Sequence, residues 1–269
     1  MFRISSRDNP KIKSAKRVRD GAADNLIFVE GLRLAEEVLR SRLNISEVFL
    51  TGEFAGTTRG EEFLQSVETN KCFEVSGKIF DSLADTKNSQ GIVLICEKPS
   101  TGQTIIEAAL DKASENPLLV LLHQINNPSN LGAILRTCEA VDAAGIITTK
   151  NSADAFSAKS LRGAMGASMR LPLWTNADFS AVLDWAKEKN LISVCADVNA
   201  LTSYLEIDWK TPRLLIFGSE AHGLSAEEFQ KVEESLLIPM ANDVESLNLA
   251  VSAGVILFEA RRRNAESRV

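Results

Sequence analysis

Cysteine is scarce in this chain and poorly placed for chemistry. Its 269 residues hold four: Cys72, Cys96, Cys138 and Cys195. They form no C-x-x-C pair and no histidine stands at ligand spacing, which argues against a zinc site or a disulfide framework. Four reduced, buried thiols in a cytoplasmic protein are expected. Histidine is scarcer still. His123 and His222 are the two present, and neither has a carboxylate or nucleophile at a recognisable spacing, so both are expected to be structural. No apolar run approaches the roughly 20 residues that cross a bilayer. The longest, at residues 118–122, is strand-sized, and residues 1–7 lack the apolar segment of a secretory signal. Neither G-x-G-x-x-G after a strand nor G-x-x-x-x-G-K-S/T occurs, so dinucleotide and P-loop readings lack their phosphate cradle. A G-x-S-x-G elbow for serine hydrolysis is also missing.

An excess of positive charge is missing too. The net charge is −6, which by itself argues against a polyanionic partner. Its distribution points the other way. Arg3, Arg7, Lys11, Lys13, Lys16, Arg17 and Arg19 crowd the first 20 residues against Asp8 and Asp20, and Arg261, Arg262, Arg263 and Arg268 crowd the end. Such an N-terminal arm is either a phosphate-tracking segment or a solvated terminal helix.

The composition, 45% hydrophobic and 25% charged, is that of a globular protein with room for one large domain or two modest ones. Two segments are visible. In residues 1–99, strands are expected at 26–31, 45–50, 72–75 and 90–96, with helices at 32–40 and 61–69. Residues 98–103 gather Lys, Pro, Ser and Gly without periodicity, and a linker is placed at 100–105. In residues 106–269, strands are expected at 118–122, 145–148, 191–195 and 214–217. Helices are expected at 131–144, 158–169, 179–189, 225–235 and 247–263. Ser225 with Glu228 three residues on reads as a capping box. This alternation predicts an α/β fold with a mostly parallel sheet and helices on both faces, whose ligand site lies beyond the carboxyl ends of the strands.

Polar residues gather after three of these apolar strands. After 118–122 comes a turn with Asn126, Asn127 and Pro128, then Ser129 or Asn130 to cap a helix that carries Arg136. The six-residue interval from Asn130 to Arg136, just under two helical turns, would let both address one end of a pocket. After 214–217 come Gly218, which lets backbone approach a ligand, and Glu220, a carboxylate that folding seldom needs at a strand end. After Leu237 and Ile238 come Pro239, Met240 and a polar loop leading to Ser246, the expected N-cap, and Asn248. Each motif alone also suits an ordinary strand-to-helix turn.

Taken together, the three resemble the signature motifs of the SpoU (TrmH-type) RNA ribose 2′-O-methyltransferases of the SPOUT class. Asn130, Gly132, Arg136 and Thr137 match the first; Gly218, Glu220 and Gly223 the second; Ile238, Pro239, Met240, Ser246, Leu247 and Asn248 the third. Arg162 to Ala167 resembles the small-residue stretch before the family's R-L-P, here Arg170, Leu171 and Pro172. Residues 28–33 and 83–92 resemble the opening and closing stretches of the family's N-terminal substrate-binding module. The resemblance implies a C-terminal α/β-knot (a trefoil-knotted, mostly parallel sheet) plus a small N-terminal α/β RNA-binding domain. It implies a homodimer that uses S-adenosylmethionine and no metal, with no membrane association. Gly218, Ile238, Met240 and Leu247 would contact the cofactor, and Arg136 would be the central catalytic residue, with Asn130, Glu220, Ser246 and Asn248 around it. The expected substrate is a ribose of RNA, 23S ribosomal RNA ahead of tRNA. A non-catalytic RNA-binding or ribosome-assembly protein of the same fold is the alternative.

Overall fold

The computed structural model describes residues 1–113, 116–242 and 244–265; Asp243 and Arg268 lie outside them. The chain divides into two compact units, Met1–Pro99 with Ala155–Arg170, and Ser100–Asp154 with Leu171–Val269. In chain order the first unit contributes β1 (Phe2–Ile4), α1 (Pro10–Arg19), β2 (Leu26–Glu30), α2 (Leu32–Arg40), β3 (Ile45–Thr51), α3 (Gly52–Ala55), α4 (Thr58–Gln65), β4 (Cys72–Val75), α5 (Gly77–Leu83) and β5 (Ile92–Glu97). The second unit opens with α6 (Gln103–Leu110), β6 (Leu118–Leu122), α7 (Pro128–Ala140) and β7 (Gly145–Thr149). After α8 (Ala158–Ala164) and α9 (Ala167–Arg170), which belong to the first unit, it closes with β8 (Leu173–Ala177), α10 (Phe179–Glu188), β9 (Ile192–Ala196), β10 (Arg213–Phe217), α11 (Ala226–Phe229), β11 (Glu234–Leu236) and α12 (Leu249–Ala265).

The first unit is a mixed five-stranded sheet in the order β1-β4-β3-β5-β2. Strands β1, β4 and β3 run parallel, and β5 is antiparallel to both β3 and β2. Its core gathers Phe28, Phe49, Val93 and Ile95 from the strands with Phe80 and Leu83 from α5. Helix α1 adds Ile12, Ala15 and Val18, three positions on one helical face. The basic arm is therefore a packed helix, and much of its charge is answered by the chain itself. Lys11 pairs with Glu47, Lys13 with Asp8 and Arg3 with Glu74. Arg7 donates to the Lys78 carbonyl, and Arg19 to those of Ser82 and Leu83. Among the described residues the side chain of Arg17, exposed on α1, makes no ion pair or hydrogen bond. Glu30, nearly buried, accepts from the backbone N–H groups of Asp85 (2.8 Å) and Thr86 (3.2 Å), so the 28–33 and 83–92 stretches meet on this carboxylate.

Residues 155–170 were expected in the second domain, yet they cluster with the first unit. Ala158 packs against its core, Arg162 pairs with Asp85 at 2.8 Å, and Arg170 pairs with Glu37. The single helix expected over 158–169 is two, because Met165 (φ 49°) and Gly166 (φ 90°) adopt left-handed backbone that ends α8. The expected linker is shorter than 100–105, since Gln103 already opens α6.

The second unit is a six-stranded, all-parallel sheet in the order β11-β9-β10-β6-β7-β8. Every residue of β6, β7 and β10 is buried, as in a sheet covered on both faces. One face packs Leu119, Leu121, Leu214 and Ile216 against Ile106 of α6 and Phe179, Val182 and Trp185 of α10. On the rest of the sheet, α7 packs against β7 and α12 against α7. The four cysteines are free and buried, and burial pushes all four thiols up, those of Cys96 and Cys195 to about 12. They are inert fillers, not nucleophiles. Among the described residues no helix is long and apolar enough to cross a membrane.

One helix differs sharply from expectation. The capping box at Ser225 and Glu228 is present, but α11 stops at Phe229 instead of running to Ser235. Residues 234–236 join the sheet beside β9, with Ser235 opposite Cys195, and the Glu233 carboxylate accepts from Ser193 N–H at 2.8 Å. The ladder overrides helix propensity there.

Candidate active site

Strand order places the site. From β6 the chain moves outward to β7 and β8, whereas β9 and β11 lie on the other side of β10. The β6–β10 boundary is therefore a switch point, where departing loops diverge and leave a crevice at the carboxyl ends. A pocket of about 830 Å³ opens there, lined by residues that follow β6, β9, β10 and β11 and by the start of α12.

The β6 loop reaches it through α7. Asn127, not Ser129 or Asn130, caps that helix by accepting from Ser129 N–H at 2.9 Å, and Pro128 takes the first helical position, where a missing N–H costs nothing. Asn130, released from capping, donates from Nδ2 to Glu220 Oε1 at 2.6 Å. Its Oδ1 accepts from Asn248 Nδ2 at 3.2 Å. Asn248 in turn accepts from Ala250 N–H (2.9 Å) and Val251 N–H (3.4 Å), so Asn248 rather than Ser246 caps α12. The result is a directional chain of hydrogen bonds, from a helix cap through two amides to one carboxylate, and each amide's orientation is set by its neighbour.

The β10 loop is a tight turn closed by reciprocal Ser219–Gly223 backbone bonds of 3.1 and 2.9 Å. Gly218 is obligatory there: a Cβ would lie 2.5 Å from the Gly223 carbonyl carbon and 2.7 Å from Leu224 N. The close approach that needs glycine here is the chain's own, where the approach of a ligand was expected to demand it.

Eight of the nine residues singled out from sequence line this pocket: Asn130, Glu220, Ser246, Asn248, Gly218, Ile238, Met240 and Leu247. Arg136 does not. It is exposed on α7, and its side chain makes no ion pair or hydrogen bond among the described residues. Six residues at 3.6 per turn leave it about 120° around the helix from Asn130, so the two do not share one pole. Leu131, Ile134, Leu135 and Cys138 hold the buried face between them. Sequence reading missed Asp197, which follows β9 and lines the same pocket as Glu220. The signal was available, since β9 ends next to β10 and its following residue must open on the same crevice. No Lys or Arg lines the pocket among the described residues.

The volume suits a nucleoside-sized ligand, and the lining combines apolar Ile238, Met240 and Leu247 with the backbone of residues 218–223. With two carboxylates and no lysine or arginine, it favours a ligand that carries positive charge.

His123 is outside this pocket. It is buried, with Nε2 3.0 Å from Glu228 Oε1 and Nδ1 3.1 Å from Thr149 Oγ1. Its pKa is lowered by burial, against the pull of the Glu228 carboxylate. His222 is exposed on the pocket's rim.

An all-parallel α/β sheet with hydrogen-bonded polar loops at its switch point is the architecture of a ligand-binding α/β protein. The chain matches the SpoU rRNA methylase family over residues 117–258 and the RNA 2′-O ribose methyltransferase substrate-binding family over residues 28–102. An uncharacterized tRNA/rRNA methyltransferase of Synechocystis sp. is 30% identical over 271 residues, covering 97% of this chain and 93% of that one. The Bacillus subtilis 23S rRNA (guanosine(2553)-2′-O)-methyltransferase is 26% identical, covering 97% and 100%. A crystal structure of an AdoMet-bound rRNA methyltransferase from Sinorhizobium meliloti superposes with a TM-score of 0.81 at 26% identity, covering 97% of both chains. This chain belongs to the SpoU family of RNA 2′-O-ribose methyltransferases.

Proposed function

We propose that this chain methylates a ribose 2′-hydroxyl of large-subunit ribosomal RNA, with S-adenosylmethionine as donor. The observation that carries the reading is the hydrogen-bonded chain Glu220–Asn130–Asn248 at the β6–β10 crevice. Three loops far apart in sequence supply it, and no packing need explains a carboxylate there.

Gly218, Ile238, Met240 and Leu247 would hold the donor, and the pocket fits its cationic character and its size. The donor supplies an already activated methyl group, so the chain's own task is to place an oxygen and dispose of a proton. Glu220, oriented through Oε1 by Asn130, keeps Oε2 free of hydrogen bonds to the described residues and open towards the acceptor ribose. Ser246 and Asn248 line the same wall. A guanidinium is a poor proton acceptor, and Arg136 stands clear of the pocket. Its role is to grip a phosphate beside the target ribose, not to take the proton.

The first unit reads the RNA, and Lys16 and Arg17 are the cations of α1 whose side chains make no ion pair or hydrogen bond among the described residues. A second copy packs against the exposed face of α12, where Val251 and Phe258, seven residues apart, are each more than half exposed. Such a self-complementary stripe is the usual material of a two-fold interface. Ribosomal RNA is preferred to tRNA because the substrate-binding module accompanies the catalytic half here and the Bacillus subtilis relative, which this chain spans end to end, is named for 23S rRNA. Buried, unpaired thiols fit a cytoplasmic setting.

The test is methyl transfer from labelled S-adenosylmethionine to ribosomal and transfer RNA purified from a strain lacking the gene, followed by mapping of 2′-O-methyl positions. Label in 23S rRNA at one ribose is expected, and label confined to tRNA would overturn the substrate assignment. For Arg136, full activity of Arg136→Lys with a shifted pH optimum would refute the phosphate-gripping role.

A further inference from the structure

The turn that carries Glu220 is closed by its own Ser219–Gly223 backbone bonds and touches α7 through Asn130, but it buries little. Residues 220–223 are exposed, and the helix that follows, α11, buries none of its four residues. Leu224 leans on the core of the second unit. The firmer attachment is Glu228, which reaches back across the strand ends to His123, the residue after β6.

His123 is held on every side. Its backbone N–H donates to the Phe217 carbonyl at 2.9 Å, and its ring packs edge-on against Phe179 at 4.7 Å between centroids. Burial favours the neutral ring, which carries one proton. Glu228 can only accept, so Nε2 donates to it and Nδ1 accepts from the Thr149 hydroxyl at the end of β7. Burial works against the Glu228 charge, but donors from Ser225 and His123 outweigh it and its pKa is lowered. Its other oxygen accepts from Ser225 N–H and Oγ, both at 2.8 Å. One side chain thus closes the capping box and ties it to the sheet. Neither His123 nor Glu228 lines the pocket.

We infer that His123 and Glu228 are positioning residues for methyl transfer: the pair fixes the turn at residues 218–224 and with it the placement of Glu220 and Gly218. The inference rests on the methyl-transfer reading of the pocket. It assigns a kinetic role to a histidine that no motif contains.

Three variants test it. Glu228→Ala cuts the tie from the exposed side, and His123→Leu cuts it from within. Ser225→Ala removes the helix cap but leaves the tie. For each, kcat, KM for 23S rRNA, the Kd of S-adenosylmethionine by calorimetry and the melting temperature are measured. A misplacement of about 1 Å at such a site lowers rate up to about 100-fold. The expected result for Glu228→Ala is a kcat about 10- to 100-fold lower with weaker S-adenosylmethionine binding and an unchanged KM for RNA, while Ser225→Ala stays within about threefold of wild type. The double variant should be no slower than the slower single one, since both cut one connection. Should His123→Leu fail to fold, Glu228→Ala alone decides. Wild-type kcat and cofactor affinity in Glu228→Ala would overturn the inference, as would equal damage from Ser225→Ala. A wild-type chain that neither binds S-adenosylmethionine nor methylates RNA would overturn the pocket reading itself and the inference with it.

Discussion

Replacing Asn130 with aspartate changes one group at the centre of the site and leaves its shape alone. The side chain keeps an oxygen for the Asn248 amide, but the N–H that met Glu220 at 2.6 Å becomes a second carboxylate oxygen. The lost charge-assisted bond is worth about 1.5–3 kcal/mol. Two unit charges 4 Å apart repel by about 4 kcal/mol at an effective dielectric of 20, and exposure of Glu220 screens this to about 1–2 kcal/mol. The sum, about 2.5–5 kcal/mol, predicts a loss of methyl transfer of roughly 100-fold or more at neutral pH and above. One shared proton would mend the pair, since a hydrogen-bonded acid and carboxylate hold each other as amide and carboxylate did. Activity of Asn130→Asp should therefore rise, relative to wild type, as pH falls from 8 to about 5.5. Asn130→Ala should lose activity without that pH dependence. The assay is single-turnover transfer of labelled methyl to undermethylated 23S rRNA across this range. A constant ratio of Asn130→Asp to wild-type rate would refute the claim that this bond orients Glu220.

Other consequences can be checked alongside it. Asn248→Ala removes the α12 cap and should cost about 1 kcal/mol of stability in urea unfolding, whereas Ser246→Ala, an exposed loop residue, should unfold at the wild-type midpoint. Gly218→Ala drives a Cβ into the Gly223–Leu224 backbone, so calorimetry should find S-adenosylmethionine binding lost even where circular dichroism reports a folded chain. Arg136→Ala should abolish transfer yet bind S-adenosylmethionine with wild-type affinity, because Arg136 is no part of the pocket lining. Burial lowers the pKa of His123 in the folded chain, so the unfolded chain takes up the proton first. Stability should therefore fall as pH drops through the unfolded value near 6.5 and towards the lower folded one; His123→Gln should flatten that part of the urea-midpoint profile.

The strands were the most legible part of the fold. The run at 118–122 and the residues around 214–217 are buried on both sides of a parallel sheet, and such strands announce themselves as short apolar stretches. What was hidden came from competition between local and distant interactions. Ser225 and Glu228 do form the capping box, but residues 234–236 have a ladder partner in β9, and no local pattern reveals a partner forty residues away. Met165 takes a left-handed conformation that glycine usually supplies, so the break between α8 and α9 was masked by good helix formers. The site was legible as chemistry and not as geometry. The polar residues were found by type and order, yet which of them caps a helix depends on a shift of two or three residues: Asn127 in place of Ser129 or Asn130, and Asn248 in place of Ser246. That shift frees Asn130 to meet Glu220. Arg136 shows the limit from the other side, for residue type marked it while helical phase turned it away from the pocket.

The segment Ala155–Arg170 has a consequence for how the protein is made. The first unit is built from two stretches of chain separated by the opening elements of the second. A ribosome working at about 5–20 residues per second needs several seconds to pass from residue 99 to residue 170. Throughout that interval the N-terminal sheet exists without its last two helices. Glu37 waits for Arg170, Asp85 for Arg162, and the core lacks the cover of Ala158. The N-terminal unit cannot finish folding as it leaves the exit tunnel, and a fragment ending at Pro99 would carry that unfinished surface permanently.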